Sequence, residues 1–199
     1  MAHPWWVNLL IAVPFIFYFF GQGQRLAITR THLLASALFA ASFGMVEGAV
    51  VVYLRAILAL VAGYGPTLVD VARFSQGFNP ATLEPTVLPI SFWKVEVCRE
   101  AATMLMLITV ALLSTTDRVG RWATFLWTFA IWDLTYYATL YATVRWPSFL
   151  TDPDVLFLIP IPWISPVWFP LLVSTLCVVA VLLSRRELTH AARRHDLLR

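Results

Sequence analysis

The chain has 199 residues, of which 60% are hydrophobic and only 13% charged, with a mean hydropathy of +0.76. A soluble domain of this size carries about 25% charged residues, so an ordinary water-exposed globule is excluded and an integral membrane protein is expected. The formal charge of +3 comes from basic residues at the ends of apolar runs rather than along a stripe, which argues against nucleic acid as a partner.

The first apolar run, residues 5–20, lacks the basic segment that precedes a cleavable signal. It reads as a retained helix kinked at Pro14. The second helix spans residues 31–54 and places small residues at helical spacing, including the GxxxG pair Gly44 and Gly48. Such a pair lets another helix approach closely. Residues 56–63 are apolar but too short to span; they either prolong this helix or lie in the interface. Residues 63–89, with four prolines and three glycines, read as a long loop, and long loops are often functional.

The third helix is expected over residues 92–113 and the fourth over 122–144. Residues 146–166 hold five prolines around an apolar centre at 155–159, which suggests a broken or re-entrant piece at the membrane edge. The fifth helix covers residues 167–183. The basic tail from Ser184 suits a helix lying on the membrane surface. With no repeat and no low-complexity linker, residues 1–199 form one domain, an all-α bundle of about five transmembrane helices.

Basic residues gather on the cytoplasmic side of membrane proteins. Arg25, Arg30, Arg118, Arg121 and the tail arginines from Arg185 to Arg199 lie in alternate segments and make up nine of the 14 basic residues. Five crossings satisfy this bias with the N-terminus outside and the C-terminus cytoplasmic, in the inner membrane of the cell.

Ionisable side chains inside spanning helices cost at least ~2.5 kcal/mol each on insertion scales and mark functional sites by default. Here they are Glu47, Glu96, Arg99, Glu100 and Asp133. At a rise of about 1.5 Å per residue, Glu47 lies about 10 Å and Glu100 about 12 Å below the outer boundary, with Asp133 near the midplane. Glu96, Glu100 and Thr103 share one face of their helix. Asp133, Tyr136, Tyr137 and Tyr141 form a polar-aromatic stripe on the next. Four acids against one base leave surplus negative charge, which suits a proton-holding pocket.

Glu47, Glu100 and Asp133 are therefore the candidate catalytic acids. Glu96, Arg99, Thr103, Tyr136 and Tyr137 are the candidate binding residues. Two other readings of the cluster compete. The cluster could be a structural ion-pair core. Its hard oxygen ligands would also suit magnesium, calcium or manganese. No histidine lies in a span, which argues against bis-histidine haem and against a Glu-x-x-His di-iron site; the residues name no cofactor. Cys98 and Cys177 fall in separate apolar runs and read as small packed residues rather than a disulfide. The function expected is binding of an amphiphilic small molecule from the lipid bilayer, with acid–base chemistry on it. The alternatives are a subunit or assembly factor contacting membrane protein partners, favoured by the GxxxG surface and nine tryptophans, and a proton- or ion-coupled transporter.

The runs from Phe43 to Tyr53, Trp132 to Tyr137 and Leu156 to Trp163 resemble a family of bacterial polytopic membrane proteins, a likeness that brings no activity with it. Val46-Glu47-Gly48, then Glu100-Ala-Ala-Thr103, then Asp133-Leu-Thr-Tyr-Tyr137 are similar to motifs of the emopamil-binding protein and sigma-2 receptor group, the EXPERA fold. That resemblance implies a membrane cavity for sterol-like or cationic amphiphiles, lined here by Glu47, Glu100, Thr103 and Asp133. The group's loop motif between the second and third helices is missing, and Glu96 and Arg99 are extra.

Overall fold

The computed structural model describes residues 1–21, 28–77 and 90–196, and the side chains of all of these except 90–92 and 186–196. Arg25, the prolines between residues 78 and 89, and the side chains of the tail arginines after Arg185 lie outside what is described.

The N-terminal run begins as a 3-10 helix, Trp5–Ala12, and continues as α1, Val13–Gly21. Pro14 sits in the first turn of α1, where a missing N–H costs little. The expected kink is thus a change of helix type. Helix α2, Arg30–Val61, starts at Thr29, whose side chain accepts from the His32 N–H at 3.1 Å. It runs past residue 54 because nothing breaks it before Gly63. There φ is +84°, and the N–H groups of Gly63 and Tyr64 bond to the carbonyls of Leu60 and Ala59. These two bonds are a Schellman ending.

Inside the segment read as a loop, Leu68–Gly77 forms a short helix, α3. The Thr67 hydroxyl accepts from the Asp70 N–H while Asp70 accepts from the Thr67 N–H. In this reciprocal capping box the Thr67 hydroxyl also donates to the Asp70 carboxylate, and that bond, with the Thr67 N–H, holds the carboxyl below its usual range.

Helix α4 covers Ile90–Ser114 and α5 covers Arg118–Val144. Asp117 caps α5 by accepting from the Gly120 N–H at 2.6 Å. Asp117→Ala should lower stability by about 1 kcal/mol, and Asp117→Asn should recover most of it. Thermal unfolding of the two variants in the same detergent checks this.

Residues 146–166 hold an antiparallel hairpin instead of a helical fragment. Its strands are β1, Pro153–Phe157, and β2, Trp163–Pro166, with Asp154 opposite Ser165 and Val155 opposite Ile164. A short apolar run cannot be assigned to helix or strand by periodicity alone. Pro153 and Pro166 face each other at the open end of the pair, where a missing donor is tolerated. The N-terminal segment joins the other edge of β2: His3 and Ile164 exchange both backbone hydrogen bonds. Helix α6, Trp168–Asp196, takes Pro170 in its first turn and absorbs the start of the tail as one continuous helix.

Packing fixes the directions. Gly44 faces Trp132 and Gly48 faces Tyr136 and Thr139, so α2 and α5 run parallel. Thr103 reaches Glu47 while Leu107 clusters with Ala40, so α4 runs against α2. Val167 packs with Val144, and further along α6 Ser174 reaches Asp133, so α6 runs against α5. Gly21 lies beside Val119 and Ser184, which sets α1 along α6. The long elements therefore alternate in direction.

Among the described residues, three helices are long and apolar enough to cross a membrane: Arg30–Val61, Trp93–Ser114 and Trp168–Arg185. Trp5–Gly21 is a shorter apolar helix. At 27 residues α5 is long but less apolar, because it is the central helix and packs against all the others. A helix shielded from lipid has no need of an apolar face all round.

Candidate functional site

Between α2, α4, α5, α6 and the hairpin lies a cavity of about 240 Å³. Helix α2 contributes Glu47, Val51, Arg55 and Leu58 at helical spacing. From α4 come Trp93, Glu96, Arg99, Glu100 and Thr103, and from α5 Phe129, Trp132, Asp133, Tyr136 and Tyr137. Strand β1 closes one side with residues from Asp154 to Leu158, and α6 adds Phe169, Val173 and Ser174. The wall is mostly aromatic and aliphatic, with the polar groups set into it. All eight candidate residues, Glu47, Glu96, Arg99, Glu100, Thr103, Asp133, Tyr136 and Tyr137, stand on this one wall. Their roles are a separate question from their position.

Each acid has a protein partner. Arg99 lies between Glu47 and Glu96, pairing with Glu47 through Nη1 and with Glu96 through Nε at 2.9 Å and through Nη2. The Thr103 hydroxyl donates to the other oxygen of Glu47 at 3.3 Å. Glu100 accepts from the Leu158 backbone N–H at 2.8 Å. Asp133 accepts from the Ser174 hydroxyl at 2.7 Å. Glu47, Glu100 and Asp133 are all buried. Burying unpaired carboxylates costs several kcal/mol apiece, so these partners are what the fold requires of the sequence there. Among the described residues, no three acid, histidine or cysteine side chains converge as a metal's ligands would.

Two ionisable wall residues escaped the sequence reading. Arg55, one residue past the expected end of the second helix, is only 4% exposed, with its guanidinium 3.9 Å from the centre of the Trp146 ring. Its position eight residues after Glu47, on the same helix face, is the signal that would have found it. Asp154, in the proline-rich stretch, accepts from the Tyr137 hydroxyl at 2.8 Å and feels the charge of Arg55. Burial pushes its carboxyl above the usual range, against the pull of Arg55, the Tyr137 hydroxyl and the Val155 N–H. No periodicity marks Asp154. The balance is therefore five acids to two bases, instead of four to one.

The stripe on α5 is shorter than expected. Tyr141 is exposed and packs under Arg145 outside the cavity. Tyr136 lines the cavity in the field of Asp154, Arg55, Asp133 and Arg99. Cys177 is buried in the α5–α6 core as expected, but Cys98 is exposed on the outer face of α4 rather than packed.

Fold and site together define a class: a helical membrane protein with a carboxylate-bearing cavity inside the bundle. No protein-family model, curated protein or solved structure matches the chain, so its chemistry has to be argued from its own residues.

Proposed function

We propose that this chain is a multi-pass membrane protein that binds an amphiphilic, lipid-like small molecule in its internal cavity, with Glu47, Glu100 and Asp133 as the groups able to exchange protons with it. The observation that carries this reading is the convergence of eight polar side chains, drawn from three helices, on one mostly apolar cavity. Pockets for small molecules have this make-up, apolar walls with a few fixed polar groups. The three runs that resemble the emopamil-binding and sigma-2 receptor group all contribute to the wall, which supports a sterol-like or cationic amphiphile.

Five crossings, an outer N-terminus, a cytoplasmic C-terminus and an inner-membrane location belong to the same proposal. The alternating helix directions support them, since α1, α2, α4, α5 and α6 then cross in turn. The hairpin and the cavity would lie toward the outer side, at the C-terminal ends of α2 and α5.

Protein purified in its native lipid should carry a bound amphiphile, detectable by mass spectrometry after extraction. Glu47→Gln, Glu100→Gln and Asp133→Asn keep the side-chain shape and remove the charge. Each should reduce the bound fraction about tenfold, the loss of one charge-assisted contact. Unchanged occupancy in all three would end the proposal. A labelling map with single cysteines at residues 64 and 115 checks the topology: only the first should react with an impermeant reagent in intact cells.

A further inference from the structure

The cavity is partly open to its surroundings, and the exposure of its lining points to one side. Toward α6 the lining residues Phe169, Val173 and Ser174 are buried. At the hairpin end, which the proposed topology turns toward water, Arg55 lies over Trp146 and Tyr137 bonds to Asp154, and all four are buried. The outer turns of α4 differ. Val95 lines the cavity and is 65% exposed, and Trp93, Glu96 and Arg99 around it are half-buried. No other described lining residue is exposed. Across from them on α2, the lining residues Val51 and Leu54 are half-buried too. Helices α2 and α4 meet deeper in the bundle, where Ala40 clusters with Leu107. Further out, Glu47 is joined to α4 by Arg99 and Thr103. On the hairpin side of α4, the Leu158 N–H bond to Glu100 ties the wall together. At a rise of about 1.5 Å per residue, Val95 lies about 5 Å below the outer boundary at residue 92. The rest of this helix presents Leu105, Leu112 and Leu113 outward, as a surface facing lipid does.

We infer that the ligand enters sideways from the outer half of the bilayer, between the outer turns of α4 and α2, and that Arg99 is the bar across this entrance. The inference rests on the binding function proposed above and adds the route and the residue that controls it. A molecule dissolved in lipid then reaches the cavity without crossing water, past an apolar rim of Trp93, Val95 and Leu54. Arg99 suits a bar because its forked end has a carboxylate on each side, Glu47 on α2 and Glu96 on its own helix. Releasing Glu47 while keeping Glu96 frees the gap and leaves the guanidinium paired. Glu47 meanwhile keeps the Thr103 hydroxyl. An arginine with one partner could open only by stranding its charge, which an apolar wall opposes.

The test uses 10-fluorodecylamine, a cationic amphiphile, with the full chain in nanodiscs. Fluorine exchange spectroscopy at equilibrium reads the bound fraction and the rate at which bound and bilayer-dissolved probe interchange. Val95→Trp and Leu54→Trp narrow the entrance from its two sides. Each should slow exchange about tenfold, the effect of a higher barrier between the same end states. Leu105→Trp lies on the same helix, is equally exposed and does not line the cavity, so it should exchange at the parent rate. Glu96→Gln should also slow exchange, because Arg99 loses the partner it needs while open. A side chain that merely held the ligand would act the other way, its loss speeding release. Parent-like exchange in Val95→Trp and Leu54→Trp, with probe bound, would overturn the side entrance and leave the binding function standing. Faster release from Glu96→Gln would make Glu96 a ligand contact and remove Arg99 as the bar. Absence of any bound fluorine signal in the parent protein would bring down the binding function as well.

Discussion

Arg99→Met should destabilise the bundle by about 3 kcal/mol, the low end of the cost of breaking a buried ion pair from one side. Arg99 touches two carboxylates at once, Glu47 and Glu96. Removing it leaves both charges facing an apolar wall with one hydroxyl, that of Thr103, still donating to Glu47. The low end applies because Arg99 and Glu96 keep 22% and 23% of their side chains accessible. The sign of the cause is tested by rescue. Arg99→Met combined with Glu47→Gln and Glu96→Gln removes the uncompensated charge and should recover most of the loss. Arg99→Lys should fall between, since one ammonium cannot reproduce a forked guanidinium. Arg73→Ala is the control. The Arg73 side chain is 71% exposed and 4.0 Å from Asp70, and exposed pairs contribute little, so this variant's unfolding midpoint should not move. Chemical unfolding in one bilayer mimic reads all four variants. Equal stability of Arg99→Met and the parent protein would mean that the carboxylates are held without Arg99.

The helices that face lipid were plain in the sequence, because burial in hydrocarbon requires long apolar runs with no exposed polar backbone. The acids of the cavity were plain for the converse reason: a carboxylate in such a run has no cheap explanation. What escaped detection depends on contacts distant in sequence. Arg55 looked like a loop charge because helix α2 was expected to stop at residue 54. Its true end is set by Gly63, whose left-handed φ is a property of the fold and not of composition. Asp154 sits in strand β1, whose partner β2 lies across a turn and is itself flanked on its other edge by His3 at the start of the chain. Neither pairing has a period that can be read along the chain. Cys98 failed the other way. A residue in an apolar run faces lipid as readily as it faces the core, and α4 buries only one side.

Gly44→Ala should cost about 2–3 kcal/mol, the upper part of what overpacking a tight interior costs. A Cβ at this position would run into the backbone carbonyl oxygen of Trp132 and come within 3.0 Å of the Thr135 Cβ. No rotamer change moves a carbonyl, so α2 must back away from α5. Gly48→Ala meets the Thr139 Cβ and Cγ2 at 2.9 Å, a shallower overlap than the one at Gly44, and should cost less. Two other glycines separate this helix contact from glycine's intrinsic effects. A Cβ on Gly77 meets nothing within 4 Å, so its alanine variant should be near neutral. Gly63 is equally open but sits at φ +84°, and Gly63→Ala should cost about 1 kcal/mol from backbone strain alone. The ordering Gly44, then Gly48 and Gly63, then Gly77 is therefore a prediction about where α2 touches α5. Because Glu47 lies between the two packing glycines, moving α2 also carries that carboxylate away from Arg99. Gly44→Ala should then lower the amount of amphiphile that co-purifies with the protein as well as stability, whereas Gly63→Ala should affect stability alone. A Gly44→Ala protein that melts no lower than Gly63→Ala would show that close approach of α2 to α5 does not hold the cavity in shape.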